Sequence, residues 1–384
     1  MRRKVCVITS TRAEYGLLKP VMTLLKSDPE VQFQLVVTGS HLSPTHGMTV
    51  KQIEADGFVE DAQVQIDLSD DSSLGVATAM ANTTTKIAET LSRLSPDVLL
   101  ILGDRYEILS CAQAALILGI PIAHIHGGEV TTGAFDDSIR HAITKMSSLH
   151  FVAAQDYARR VVQLGEQPSS VFNVGSLGVD LALGCETLDR QELGDALKFQ
   201  ITNPILLVTY HPTTRTSGST TNEIDEVLAA LGKFDFCTIV FTGTNADPGN
   251  IEISSKIAGF VTADPKKRSL YDSLGQKNYF SLMKLCDVVI GNSSSGIIEA
   301  PAFCVPTVNI GSRQHGRLRA DSIIDVTVER QRIQTAIETA LSSTWRERCS
   351  KTKSIYGSGN CAQRIMDTLK TAELTVNKTF FDLA

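Results

Sequence analysis

A run of small polar residues, GNSSSG at residues 291–296, joins one apolar stretch to another. Between a strand and a helix, such a run exposes backbone N–H groups and hydroxyls at a helix N-terminus, which favours a bound anion. Glu299 comes one turn later, where a carboxylate could accept both hydroxyls of a ribose. A serine N-cap with a glycine for close packing explains the same segment, and the sequence leaves both explanations open.

Basic side chains elsewhere in the chain favour the phosphate interpretation. They follow predicted strands, and they are Arg12, His211, Arg313 and Arg317. A guanidinium matches phosphate oxygens with two donors. The chain contains no GxxxxGK[ST] loop, which excludes a P-loop nucleotidase, and no GxGxxG follows the first strand, so we do not expect Rossmann-type dinucleotide binding.

Acidic residues and histidines form a second set of chemistry-bearing side chains. Its members are Asp104, His124, His126, Glu129, Asp136, Asp137 and His141. Carboxylates that face one pocket suit proton transfer on opposite faces of a carbon, or glycosyl chemistry. A metal site is the alternative, but no paired HxxxE or HxxxH helix accompanies the HxH motif, so we expect neither metal nor cofactor.

Several members of this set also have structural explanations. The pattern favours His124 as a histidine whose hydrogen bonds are satisfied within the core. Asp104 would suit the N-cap of the following helix, and Asp136 or Asp137 would suit the N-cap of the helix that contains SIRHAITK. One residue of the aspartate pair could cap that helix while the other faces a substrate.

The elements that must position these residues have the pattern of an α/β fold. Short apolar segments typical of strands cover residues 4–10, 31–39, 97–104, 121–128, 149–154, 170–176, 204–211, 237–245, 287–293 and 306–311. Helical patterns such as 73–94 and 106–119 lie between them. Continuous apolar strands separated by helices predict parallel sheets covered on both faces. The chemistry-bearing residues follow the strand ends, as do Thr242 and Asn245, so we expect them at one edge of each sheet.

The length of 384 residues predicts two domains rather than one. Residues 177–203 are rich in Asp, Glu, Gln and Gly without a strong strand, and we place the boundary there. The predicted domains cover residues 1–176 and 204–355. Tandem doubly wound domains usually bind a ligand in the crevice between them, at the carboxyl ends of their strands.

Composition narrows the partners and the compartment. The formal net charge of −6 argues against nucleic acid as the main partner, because binding a phosphate backbone needs a basic surface. The eight cysteines include no CxxC pair, which argues against a disulfide framework or a zinc site. No apolar run is long enough to span a bilayer, and the apolar run at the start is too short for a signal peptide. We therefore expect a cytoplasmic protein without a membrane partner.

Seven motifs together resemble one known family. They are TSTRAEYG, LGDRYEI, HIHGGE, DDSIRHAITKMSSLH, GNSSSGIIE, GSRQHGR and YGSGNCAQRI. They occur in order, and the match runs from residue 3 to about residue 370. The chain resembles the hydrolysing UDP-N-acetylglucosamine 2-epimerases, bacterial enzymes that supply N-acetylmannosamine for sialic acid, and their relatives in legionaminic acid synthesis. The resemblance implies two Rossmann-like domains of the glycosyltransferase-B kind, a C-terminal segment, 356–384, that returns to the first domain, and a homodimer or homotetramer.

The resemblance also implies roles for individual residues. The UDP ligands would be Arg12, His211, Ser293, Ser294, Glu299 and Arg313, with Tyr279 or Phe280 near the uracil and Thr242 and Asn245 in the same binding set. Asp104 and Asp136 match the family's acids. His126 stands where many members have a glutamate, so either His126 acts as the acid/base itself or Glu129 takes over.

The implied reaction eliminates UDP from UDP-N-acetylglucosamine to give a glycal, which water converts to N-acetylmannosamine. The strand-end basic set suits the diphosphate and the acidic set suits the proton transfers. UDP-N,N'-diacetylbacillosamine would use the same residues and is the alternative substrate. A glycosyltransferase of the same fold is the second hypothesis for the function. A sugar-nucleotide sensor is a non-enzymatic hypothesis, but it gives the acidic residues no function.

Overall fold

The computed structural model describes residues 2–131, 135–212, 220–244 and 250–383, apart from the side chains of residues 46 and 220–222. The chain divides into two units. The first unit comprises Met1–Asp180 and Gly359–Ala384, and the second comprises Leu181–Ser358. Each unit contains one sheet whose paired strands are all parallel, which confirms the predicted α/β class. Asn245, one of the predicted ligands, lies outside the described residues.

The sheet of the first unit has seven strands in the order β3-β2-β1-β4-β5-β6-β7. They are β1 (Arg3–Thr9), β2 (Val31–Thr38), β3 (Ala62–Val64), β4 (Val98–Leu102), β5 (Ile122–Ile125), β6 (Leu149–Val152) and β7 (Val171–Asn173). The helices up to the second unit are α1 (Arg12–Ser27), α2 (Val50–Ala55), α3 (Ser73–Leu94), α4 (Tyr106–Ile117), α5 (Phe135–Met146), α6 (Gln155–Gln163) and α7 (Leu177–Gly184). The strand order reverses between β1 and β4, where a doubly wound sheet leaves room for a ligand.

The second sheet has six strands in the order β10-β9-β8-β11-β12-β13, which reverses between β8 and β11. They are β8 (Ile205–Thr209), β9 (Thr238–Thr242), β10 (Arg268–Tyr271), β11 (Val288–Gly291), β12 (Thr307–Ile310) and β13 (Ile323–Val326). The remaining helices are α8 (Arg190–Leu197), α9 (Thr220–Leu231), α10 (Asn250–Thr262), α11 (Gly275–Leu285), α12 (Ser295–Ile298), α13 (Arg330–Leu341), α14 (Ser343–Ser350) and α15 (Cys361–Thr371).

Alternate residues of β1 face two separate apolar cores. Val5 and Val7 belong to a cluster with side chains of α1 and α15, whereas Cys6 and Ile8 belong to one with side chains of α3 and α4. Such burial on both faces is the reason that the strands are apolar throughout.

The last helix, α15, is part of the first unit. It packs against α1, and the Asp180 carboxylate accepts hydrogen bonds from the backbone N–H groups of Cys361 and Ala362 at 2.8 and 2.7 Å. The N–H groups in the first turn of a helix have no carbonyl partner within the helix. Asp180 supplies one for Cys361 and Ala362 and so anchors the start of α15. Among the helices that the structure describes, none is long and apolar enough to cross a membrane.

Candidate active site

The turn after β1 is fixed by a carboxylate that folds back onto it. Glu14 is 5% exposed, and its carboxylate accepts hydrogen bonds from the Ser10 N–H at 3.0 Å and from the Ser10 hydroxyl at 2.9 Å. Burial raises the pKa of Glu14 to about 7, against the lowering effect of the hydrogen bonds from Ser10. The fixed turn leaves Arg12, the first residue of α1, exposed at the carboxyl edge of the sheet.

Arg140 on α5 joins the acidic residues that follow β4 and β5. Its guanidinium donates hydrogen bonds to the Asp104 carboxylate, to the Glu129 carbonyl oxygen at 3.0 Å and to the Thr131 hydroxyl at 3.0 Å. A further contact reaches Asp137 Oδ1 at 3.4 Å. The structure therefore brings together three acidic residues that the sequence spreads over 34 positions, and it does so around one cation.

Asp137, the second of the two aspartates at the start of α5, contacts the loop after β5 and two other side chains of its own helix. Asp137 Oδ1 accepts a hydrogen bond from the Thr131 N–H at 2.8 Å, and Asp137 Oδ2 lies 3.6 Å from His141 Nε2. With the contact to Arg140, both of its oxygens have protein partners. Asp137 thus ties the loop after β5 to α5.

His126, which directly follows β5, has a left-handed conformation, with φ at 69°. Non-glycine residues seldom adopt this conformation, and it concentrates at functional sites. Its Nδ1 lies 3.3 Å from Glu129 Oε1, and the Glu129 residue is only 5% exposed. The two residues between which the sequence analysis left the acid/base role open are therefore a contacting pair.

His124, by contrast, is fully buried and held on both ring nitrogens. Nε2 donates to the Gly103 carbonyl oxygen at 2.7 Å, and Nδ1 lies 3.2 Å from the Thr144 hydroxyl. Burial lowers the pKa of His124 to about 3, so the ring is neutral. This geometry fits the structural role that the sequence favours, since the ring anchors the residue that precedes Asp104.

Asn292 lies where the strand order of the second sheet reverses. It directly follows β11 and is fully buried. Its side chain accepts a hydrogen bond from the His211 N–H at 2.7 Å and donates one to the His211 carbonyl oxygen at 2.8 Å. Its own carbonyl oxygen accepts hydrogen bonds from Arg313 and Gln314 at 3.2 and 2.9 Å. One asparagine therefore fixes the backbone of His211 and draws Arg313 to the same strand end.

The helix after Asn292 is too short to contain Glu299. The helix α12 covers only Ser295–Ile298, Ser294 makes no side-chain capping bond, and Glu299 follows the helix rather than lying within it. So short a helix weakens the dipole argument for an anion, which leaves the hydroxyls and local N–H groups as donors. The glycine has the packing role that the sequence suggested, because a Cβ at residue 291 would lie 1.9 Å from the Thr209 carbonyl oxygen.

Glu299 and Tyr279 border the same strand ends. Burial raises the pKa of Glu299 to about 7, although Ser295 lowers it, and among the described residues Glu299 Oε2 has no hydrogen-bond partner. An acceptor of this kind fits a ligand hydroxyl. The Tyr279 hydroxyl lies within hydrogen-bonding reach of Ser295 and Thr209, and burial raises its pKa to about 12.

Thr242 is only 8% exposed, and its hydroxyl lies 2.6 Å from the Thr209 hydroxyl. The structure therefore gives Thr242 a partner inside the second sheet. The sequence analysis assigned no role to Gln314, which is 4% exposed and whose Oε1 has no partner among the described residues. No pattern in the sequence singles it out, because its burial depends on Asn292 and Arg319.

Within the described ranges, no group of three or more histidine, cysteine, aspartate and glutamate side chains is arranged to hold a metal ion. His124, His126 and His141 contact carboxylates, a hydroxyl or a carbonyl instead.

The family model described as UDP-N-acetylglucosamine 2-epimerase matches residues 23–370. The chain belongs to this family. A "GDP/UDP-N,N'-diacetylbacillosamine 2-epimerase (hydrolyzing)" of Campylobacter jejuni is 40% identical over 84% of each chain. "Polysialic acid biosynthesis protein P7" of Escherichia coli is 41% identical over 87% of this chain and 85% of its own.

Among solved structures, the UDP-GlcNAc 2-epimerase of Neisseria meningitidis bound to UDP-GlcNAc has a TM-score of 0.75 and 18% identity, over 95% of this chain and 99% of that one. At this identity the likeness shows the fold, which is of the glycosyltransferase-B kind that the motifs imply. The chain is an enzyme, because both the family model and the 40% identical Campylobacter relative are named for a 2-epimerase.

Proposed function

We propose that the protein is a hydrolysing UDP-N-acetylglucosamine 2-epimerase that produces N-acetylmannosamine and UDP for sialic-acid-type sugar biosynthesis. The observation that carries the proposal is the Asp104 carboxylate held by Arg140, which also binds the loop in which His126 contacts Glu129. Such a set of proton-transfer groups has no purpose in a protein that only binds a nucleotide sugar.

The reaction balances without a cofactor. A base removes the hydrogen at C2, the electron pair forms the C1=C2 bond, and the C1–O bond breaks so that UDP leaves with its electrons. Water then adds its oxygen to C1 while C2 receives a proton from the opposite face. The sum is one UDP-sugar and one water converted to UDP and a free sugar inverted at C2.

The protein groups have distinct parts in this proposal. Asp104 serves as base, Asp136 as the second acid/base, and the His126–Glu129 pair as the third proton-transfer group. On the second unit, His211, Ser293, Ser294 and Arg313 would bind the diphosphate, and Glu299 would accept the ribose hydroxyls. Arg12 would add a second guanidinium to the diphosphate.

UDP-N,N'-diacetylbacillosamine is the alternative substrate, because the Campylobacter relative at 40% identity is named for it whereas the family is named for UDP-N-acetylglucosamine. The test is to incubate the purified protein with each nucleotide sugar, without an acceptor, and to follow UDP and free sugar. Release from one substrate alone identifies it. No release from either, with transfer once an acceptor is added, would instead support a glycosyltransferase.

The location and assembly of the enzyme are part of the same proposal. We propose a cytoplasmic homodimer or homotetramer, as the resemblance implies. Light scattering on the purified protein measures the assembly directly, and a monomeric mass would contradict it.

Product formed in D2O is expected to carry one deuterium at C2. The delivering group exchanges its proton with solvent before it protonates the glycal, whereas recovered substrate should carry little deuterium. Proton NMR of the released N-acetylmannosamine measures both. Ordinary hydrogen at C2 would point to internal return or to transient oxidation at C3, and would contradict a mechanism with two proton-transfer groups.

Replacing Arg12 or Arg313 with alanine is expected to weaken UDP binding by about 1–3 kcal/mol, the range for a charge-assisted hydrogen bond. Both residues are exposed at strand ends, and the Asn292 carbonyl oxygen that Arg313 contacts keeps its hydrogen bond from Gln314 when Arg313 is replaced. Isothermal titration with UDP measures the change, and Arg332, an exposed arginine at the start of α13, is a matched control. Unchanged affinity in both variants would refute the proposed diphosphate site.

A further inference from the structure

Arg140 is the charged centre of the cluster in the first unit. The residue is 5% exposed, and its Nη2 donates to both Asp104 and Thr131 while Nη1 donates to the Glu129 carbonyl oxygen. These partners follow two different strands, β4 and β5, and Arg140 itself stands on α5. One planar group therefore sets the separation between the carboxylate after β4 and the loop after β5.

The positive charge of Arg140 also requires charged partners. A guanidinium remains protonated under all ordinary conditions, and a buried one needs anionic partners. Asp104 and Asp137 supply them, at opposite sides of the guanidinium. The nearby Arg160 on α6 differs, because its guanidinium donates to the Gly128 carbonyl oxygen and so holds the same loop only by its backbone.

We propose that Arg140 is a positioning residue for proton transfer at C2. Its charge keeps Asp104 in the ionised form that a base requires, and its fork holds Asp104 at a fixed distance from the loop that carries His126 and Glu129. The inference rests on the proposed function, in which Asp104 is the base.

The test compares R140Q, R140K and R140A with R160Q, using the nucleotide sugar that the wild-type enzyme turns over. R140Q is expected to lower kcat by at least about a hundredfold, with KM and UDP affinity within about threefold of the wild type. R140K keeps the charge without the fork and should retain more activity than R140Q. R160Q should keep kcat within about threefold, because it leaves the carboxylates paired.

Rescue by guanidinium ion separates positioning from a general loss of structure. Millimolar guanidinium is expected to raise the kcat of R140A at least about tenfold and to leave the wild type and R160Q unchanged, since only R140A has a site for the ion. UDP affinity and thermal unfolding show whether each variant is folded. If R140A does not bind UDP as the wild type does, the kcat of R140K is compared with that of R140Q and R160Q instead, because R140K retains the buried charge.

Two results would overturn the inference. One is a loss of kcat in R140Q no larger than that in R160Q, and the other is an equal loss in R140Q and R140K without rescue of R140A. Failure of the proposed function is distinguishable, because the wild type would then release no UDP from either nucleotide sugar.

Discussion

Replacing Asp104 with asparagine is expected to lower kcat by at least about a hundredfold while UDP affinity stays nearly unchanged. Asparagine keeps the shape of the side chain and can still accept a hydrogen bond from Arg140 through its amide oxygen. It cannot take a proton from C2, and the loss of a general acid or base costs at least about a hundredfold in rate. Steady-state kinetics of UDP release and titration with UDP measure the two quantities.

Asp97 offers a matched control for this substitution. It lies just before β4, at the opposite end of the strand from Asp104, where its carboxylate accepts a hydrogen bond from the Lys4 N–H at 2.8 Å. Asp97→Asn makes the same chemical change away from the cluster and should leave kcat unaltered. A near-normal rate in Asp104→Asn would move the base assignment to Glu129 or His126.

Replacing Asn292 with aspartate is expected to destabilise the protein by about 3–5 kcal/mol at neutral pH, the range for an uncompensated buried charge. The side chain is fully buried, and its amide group donates to the His211 carbonyl oxygen. An aspartate would place a carboxylate oxygen against that carbonyl oxygen, with no donor between them. Denaturant unfolding of the second unit measures the change in the free energy of unfolding.

Asn292→Ala separates the lost hydrogen bonds from the buried charge. We expect a cost of about 1–3 kcal/mol for alanine, because the His211 backbone groups lose their partners without gaining a charge. The sign of the pH dependence follows from burial, which raises the pKa of the new carboxyl in the folded state above its unfolded value. The extra cost of aspartate should therefore disappear as pH falls below the unfolded pKa and grow as pH rises through the folded one. Equal stability of the two variants at neutral pH would contradict this account.

The sequence by itself determined the parallel α/β class, and it predicts that the functional residues lie at the strand ends. Strands buried on both faces must be apolar throughout, so β1, β4 and β8 are visible as continuous apolar runs. The sequence analysis missed β3, β10 and β13. Each lies at the edge of its sheet and has only three or four residues. The apolar pattern is weak in β3 (AQV) and β10 (RSLY), whereas β13 (IIDV) is apolar but too short to stand out.

Only the tertiary structure decided which polar groups contact one another. Asp136 and Asp137 are equivalent in the sequence, yet Asp137 is held by Thr131, Arg140 and His141. The spacing of residues along a strand or a helix cannot indicate a bond between Arg140 and Asp104, since the two are 36 positions apart on different elements. A hydrogen bond forms only when the distance between donor and acceptor is correct to within a few tenths of an ångström. The packing of the apolar cores sets that distance between elements far apart in the sequence.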